Sequence, residues 1–171
     1  FRIILRCQIK RAIKIITPTN TVKEQLIEIY GKKISTKTCF IYEGVSYQIS
    51  ESKENKSLYK EYPNFFIYVG NFYPHKNIEK LIQAFSTIKT SSKLLLLGPN
   101  DFFKNRLYQL INRLKQGKRI LFINNSTIKD LVFFYKNAHA LIHPSLSEGG
   151  GLPLIEAAHF SCPIIASDIK V

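Results

Sequence analysis

Methionine and tryptophan are absent from the 171 residues, and the 12 acidic residues face 25 lysines and arginines. A chain with no methionine does not begin at an ordinary start codon, so it is expected to be processed or to be a slice of a longer protein. No apolar run reaches the roughly 18 residues that a membrane-spanning helix requires. The opening Phe1-Arg2-Ile3-Ile4-Leu5-Arg6 has too short an apolar core to serve as a signal peptide. Cysteine is scarce: Cys7, Cys39 and Cys162 are far apart and form no C-x-x-C pair. That excludes a disulfide framework or a metal knuckle and fits a reducing, cytoplasmic setting, with Cys162 as core. No D-x-D acidic pair occurs, so no metal is expected.

The shortage of acid leaves a net charge of +13. Residues 1–42 hold Arg2, Arg6, Lys10, Arg11, Lys14, Lys23, Lys32, Lys33 and Lys37 against Glu24 and Glu28 alone, which is over half the excess. Such a field attracts polyanions. Neither an aromatic-basic RNA-binding pattern nor a DNA-reading motif is present, so specific nucleic acid is not the expected partner. Peripheral contact with an anionic membrane is the better functional reading. A genomic bias toward lysine, isoleucine, asparagine, tyrosine and phenylalanine would produce the same charge.

What is abundant is short apolar runs in regular alternation with amphipathic stretches. Residues 2–12 read as a basic helix and Ile13–Thr17 as a strand. Thr21-Val22-Lys23-Glu24 has the spacing of a capping box, opening a helix that Gly31 ends, before a strand over Thr38–Tyr42. Residues 46–64 are polar and read as a linker holding at most a short helix. From Phe65 the runs Phe65–Val69, Lys93–Leu97, Arg119–Ile123, Ala140–His143 and Pro163–Ala166 look like buried parallel strands. Helices are expected at about 77–89, 102–116, 127–136 and 152–160, with apolar positions at three- and four-residue spacing, as in Ile78, Leu81, Ile82 and Phe85. Repeated βα units predict an α/β, doubly wound, Rossmann-like sheet whose ligand lies at the carboxyl ends of the strands.

The densest chemistry is in Glu148-Gly149-Gly150-Gly151-Leu152-Pro153-Leu154-Ile155-Glu156. Three glycines let backbone N–H groups approach a ligand closely. Pro153 suits the first turn of a helix, because its fixed φ and missing N–H cost nothing there. The helix N-terminus behind such a turn favours an anion, phosphate above all. The bracketing carboxylates are poorly placed for phosphate and well placed to accept hydrogen bonds from hydroxyls. Phosphate flanked by hydroxyls describes a nucleotide sugar.

This segment resembles the acid-seven-residues-acid signature of the retaining glycosyltransferases of family 4, which have the GT-B architecture. The resemblance extends to Pro144-Ser145-Leu146-Ser147, Ala157-Ala158 and Cys162-Pro163-Ile164-Ile165-Ala166-Ser167. It reaches back to Tyr68-Val69-Gly70-Asn71-Phe72-Tyr73-Pro74-His75-Lys76-Asn77, Tyr42-Glu43-Gly44-Val45 and Ile15-Ile16-Thr17-Pro18-Thr19. It implies that residues 1–45 are the tail of an acceptor domain, 46–64 a linker, and 65–171 a donor-binding GT-B C-terminal domain, incomplete at both ends.

By the same resemblance Lys76 neutralises the β-phosphate and Glu148 lies near the transferred sugar; these are the implied catalytic pair. Glu156 accepts from the ribose hydroxyls. Gly149, Gly150, Gly151 and Leu152 present backbone N–H groups to phosphate or sugar, and Gly70 and Asn71 belong to the loop carrying Lys76. The implied activity is metal- and cofactor-independent, retaining transfer of a hexose from a nucleotide-diphosphate sugar to a saccharide or lipid-linked acceptor, at the cytoplasmic face of a membrane. Asn71 stands where the family commonly has arginine, and Gly150 where it usually has an aromatic. Those departures leave open an alternative: a non-catalytic sugar-nucleotide-binding subunit or degenerate paralogue.

Overall fold

The computed structural model describes residues 2–170. Phe1 and Val171, which bound the expected segments 1–45 and 65–171, lie outside the described residues, as does the side chain of Arg2. The chain divides into two compact bodies. One takes the residues up to Gly44, the loop Ser147–Gly151 and the residues from Ile169 onward; the other takes Val45–Leu146 and Leu152–Asp168.

The first body begins with helix α1 (Arg2–Arg11) and strand β1 (Ile15–Thr17). Helix α2 (Asn20–Tyr30) and a 3-10 turn (Lys32–Lys37) then carry the chain to β2 (Thr38–Phe40), which pairs parallel with β1. Lys37 fixes the end of α1: its Nζ donates to the carbonyls of Ile9 at 2.6 Å, Lys10 at 3.2 Å and Ala12 at 2.9 Å. A cation at the C-terminus satisfies orphan carbonyls and complements the helix dipole. The capping box expected at Thr21 is not what starts α2. Thr19, in extended conformation, accepts from the N–H of Val22, and Asn20 holds Glu24 at 2.8 Å. The reason is tertiary. Thr19 is buried, and its hydroxyl donates to the distant Gly149 carbonyl at 3.2 Å, so the helix starts two residues earlier than local spacing suggests. Gly31, at φ 94°, ends the helix as expected.

The second body opens with α3 (Tyr47–Ser50) and a 3-10 turn (Lys56–Tyr59). The strands and helices then alternate: β3 (Phe65–Val69), α4 (Ile78–Thr87), β4 (Lys93–Leu97), α5 (Lys104–Arg113), β5 (Ile120–Ile123), α6 (Ile128–Asn137), β6 (Leu141–His143), α7 (Leu152–His159) and β7 (Ile164–Ala166). The five strands form one parallel sheet in the order β5-β4-β3-β6-β7. This is the doubly wound α/β sheet the alternation predicts. β3 and β4 match their expected bounds, and β5, β6 and β7 each begin one residue later than expected.

Strand periodicity divides the core in two. Tyr68, Leu94 and Leu96 pack with α4 and α5 through Ile78, Leu81, Ile82, Phe85, Leu107, Leu110 and Ile111. Phe65, Ile67, Leu95 and Leu97 face the other way, onto Phe133, Phe134 and Tyr135 of α6 and Ala157 of α7. Cys162 is buried in this second cluster, as its apolar surroundings in sequence suggest. Burying each of the leucine, isoleucine and phenylalanine side chains contributes about 1.5–3 kcal/mol.

The segment expected as a linker packs onto α6. The N–H of Asn55 donates to the Lys129 carbonyl at 3.0 Å and its side-chain amide to Asp130 at 2.6 Å, while Asn137 donates to Glu54 at 3.0 Å. Leu58 and Tyr62 join the core beside Phe65 and Phe134. Of the polar side chains in 46–64, Glu54 and Asn55 bond to α6, and most of the others are exposed.

Candidate functional site

Because every strand of the five-stranded sheet runs the same way, the loops after β3, β4, β5 and β6 leave one edge. The sheet order places β6 beside β3, on the side away from β4, so this edge contains the reversal of winding at which doubly wound sheets bind ligands. The loops are tied together. The N–H of Phe72 donates to Asp101 at 2.9 Å, and the other oxygen of Asp101 accepts from the N–H groups of Phe103 and Lys104 at the head of α5. Gly98 lies so close to the carbonyl of Gly70 that a Cβ would not fit. The N–H of Leu146 donates to His75 at 2.8 Å, and the amide of Asn77 to Pro144 at 3.2 Å. Lys104 donates to Asn124 in the loop after β5.

Within this frame the loop after β3 carries three of the expected residues. Gly70 starts it at φ 145°. The Asn71 carbonyl accepts from the Tyr68 hydroxyl, and its side chain faces the N–H of Tyr73 at 3.4 Å. Asn71 therefore shapes the loop where an arginine would have supplied charge. A 3-10 turn, Pro74–Lys76, follows and ends on half-buried Lys76.

Beside it opens a cleft of about 200 Å³ lined by Val69, Leu97, Gly98, Ile123, Ser126, Thr127, Ile128 and Leu131. Strand ends form its floor and the head of α6 its wall. That wall is fixed by a capping box: the Thr127 hydroxyl accepts from the N–H of Asp130 at 3.2 Å, and Asp130 accepts from the N–H of Thr127 at 2.9 Å. The cleft is apolar except at its lip, which suits a flat ring.

Helix α7 begins at Leu152, with Pro153 in its first turn. One turn further in, half-buried Glu156 accepts a hydrogen bond from the hydroxyl of Tyr135 at 2.7 Å. Burial pushes the Glu156 carboxyl above its ordinary 4.5, and the Tyr135 hydrogen bond pulls it partly back. Tyr135 is fully buried and stacks on Phe160; burial, then the Glu156 charge, raise its own pKa. Nothing in the sequence singled Tyr135 out, because in the helical pattern of α6 it is one more apolar position.

The loop Ser147–Gly151 clusters with the first body. The Gly149 carbonyl accepts from the Thr19 hydroxyl at 3.2 Å. Where Gly150 would carry a side chain, the Glu43 carboxylate already stands, 2.6 Å from the position of a Cβ. Gly151 is buried at φ 71°, a conformation suited to glycine. Glu148 is half-buried. The expected residues thus fall into two groups: Gly70, Asn71, Lys76, Leu152 and Glu156 in the second body, and Glu148, Gly149, Gly150 and Gly151 in the first. Among the described residues no cluster of three His, Cys, Asp or Glu side chains could hold a metal ion, and no helix is long and apolar enough to cross a membrane.

Comparison with known proteins gives the arrangement a context. Residues 49–171 match the family model described as glycosyl transferases group 1. Over its whole length the chain is 32% identical to the O-antigen chain mannosyltransferase RfbU of Salmonella typhimurium, of which it covers 46%. It spans less than half of that relative. Among solved structures, the Anabaena protein HepE in complex with UDP and glucose superposes with a TM-score of 0.84 at 20% identity, covering 99% of this chain and 48% of that one. The sucrose-phosphate synthase of Thermosynechococcus elongatus gives 0.83 at 23% identity, covering 98% and 44%. These likenesses establish the GT-B type of fold.

Proposed function

The chain belongs to the glycosyl transferases group 1 family, and from that premise we propose that it carries the donor side of a retaining hexosyltransferase using a nucleotide-diphosphate sugar. The observation that supports this best is the carboxyl edge of the parallel sheet. There an apolar cleft, a lysine-bearing loop and the half-buried carboxylate of α7 belong to one body. A base fits the cleft, Glu156 accepts from ribose hydroxyls, and Lys76 neutralises the β-phosphate. In the same body the N–H of Leu152, at the head of α7, serves phosphate or sugar. Binding of UDP and glucose by the Anabaena neighbour, as its structure is described, supports this class of ligand.

In the proposed reaction the bond from the anomeric carbon to the diphosphate oxygen breaks, and a bond to the acceptor hydroxyl forms on the same face. The acceptor's proton passes to the departing diphosphate, with no protein nucleophile. Lys76 contributes by meeting the charge that develops on the leaving group, a preorganised electrostatic term. No metal or other cofactor takes part. The acceptor is a saccharide or lipid-linked saccharide; the O-antigen role of the Salmonella relative favours this class. The first body offers a surface for an anionic cytoplasmic leaflet: Ile3 and Ile4 are exposed on α1 beside Arg6, Lys10 and Arg11.

Titration calorimetry with UDP, GDP and ADP, in EDTA and again with added magnesium, tests the donor site. Heat from one of them is expected. Silence from all three with folded protein removes the proposal, and binding that requires a divalent ion removes its metal-independent form.

A further inference from the structure

Helix α6 does two things in the second body. Its first turns, through Thr127, Ile128 and Leu131, wall the cleft at the carboxyl edge. One turn beyond Leu131, Tyr135 bonds the Glu156 carboxylate. Thr127, Leu131 and Tyr135 follow one another at intervals of four, so they form a single stripe along the helix. Tyr135 has no freedom to be elsewhere: it is 0% exposed, stacked at 19° on Phe160 and set in the core with Phe133 and Phe134. Its hydroxyl is the one polar group it brings into that core, and a buried hydroxyl without a partner is costly. Among the described residues Tyr135 is the one side chain that bonds Glu156, and it takes Oε2 alone.

We propose that Tyr135 is a positioning residue for ribose recognition: by holding Oε2 of Glu156 it fixes the carboxylate so that Oε1 accepts from the ribose hydroxyls. This rests on the assignment of Glu156 to the ribose. A glutamate has three rotatable side-chain bonds, and leaving them free would spend part of each hydroxyl contact on ordering the carboxylate. The phenol removes that loss before the ligand arrives. The same stripe of α6 then couples the two halves of nucleoside recognition, because the helix that walls the base cleft also carries the group that sets the ribose acceptor.

The test compares GDP and UDP with their 2′,3′-dideoxy forms by calorimetry, on the full chain, for wild type, Tyr135→Phe and Glu156→Ala. Thermal melting confirms that each variant folds. Wild type is expected to favour the ribose form by about ten-fold, the scale of one hydrogen bond to a charged group. Tyr135→Phe should erase most of that preference while its affinity for the dideoxy form stays within about two-fold of wild type. Glu156→Ala should erase it entirely. Loss of preference in Glu156→Ala with full preference kept in Tyr135→Phe overturns the positioning role and leaves the Glu156 assignment standing. A uniform loss for both ligands in Tyr135→Phe, with the ratio intact, assigns Tyr135 to packing and also overturns it. Preference retained in Glu156→Ala, or no binding of either nucleotide to folded wild type, overturns the reading on which the proposal rests.

Discussion

At the scale of single residues, two neighbouring glycines have different reasons to be glycine. Gly151 sits at φ 71°, where a Cβ is strained whatever the surrounding space. Gly150 has an ordinary φ, and its obstacle is the tip of the flexible Glu43 side chain. Gly151→Ala should therefore destabilise the protein by about 1–2 kcal/mol in a denaturant titration. Gly150→Ala should change stability by less than about 0.5 kcal/mol as Glu43 swings aside. Equal losses would show that the glycine turn is governed by space and not by backbone angle.

Two carboxylates set an opposite pair of pH dependences. Burial holds the Glu156 pKa above its unfolded value, so the folded state binds the proton more tightly. Its ionisation therefore lowers stability as pH rises from 4.5 through the raised pKa. Glu156→Gln should melt above wild type at pH 7, with the difference closing as pH falls to 4. For Asp130, burial works to raise the pKa, but hydrogen bonds from Asn55 and Thr127 outweigh it and hold the pKa below 3.8. That contribution is present above 3.8 and fades as the solution is acidified further, through the depressed pKa. Asp130→Asn should thus lose stability at pH 7 and approach wild type toward pH 2.

At the scale of elements, the sheet was legible because buried parallel strands are short, nearly continuous apolar runs, and those from Phe65 onward have few competing patterns. Helix starts were less legible where a tertiary contact chose between two caps. Thr19 and Thr21 are both good capping residues, and only the burial of Thr19 decides for it. The docking of 46–64 was hidden for a similar reason: Asn55 and Glu54 bond partners 75 and 83 residues away. In the candidate site, the glycine turn stood out by its composition, and Lys76, Glu148 and Glu156 were expected from the family resemblance. Tyr135 did not stand out, because its partner is 21 residues distant and its hydroxyl is silent in a pattern of apolar positions. Helix α6 gives this scale its prediction. Thr127→Ala removes the acceptor for the Asp130 N–H and should cost about 1 kcal/mol. Because Thr127 also lines the cleft, nucleotide affinity should fall with it, while Thr127→Ser restores both.

At the scale of the whole molecule, the charge of +13 attracts any anion, the proposed role of Lys76 is a contact with the diphosphate, and the two can be told apart. A diffuse field acts on any anion and is screened once the Debye length shrinks, from about 30 Å at 0.01 M salt to 8 Å at 0.15 M. A charge-assisted hydrogen bond acts at contact distance, survives salt better, and contributes roughly 1.5–3 kcal/mol. Nucleoside diphosphate affinity should therefore decline with salt in wild type and level off above about 0.15 M. Lys118→Met, which removes one exposed charge from the field, should change the low-salt value slightly and the high-salt value not at all. Lys76→Met should lower affinity at every salt concentration, by about ten-fold or more, and leave the affinity for the uncharged nucleoside unaltered. Calorimetry across a salt series reads all three. If Lys76→Met behaves like Lys118→Met, the phosphate is attracted by the protein's overall charge, and Lys76 has no contact role in holding the donor.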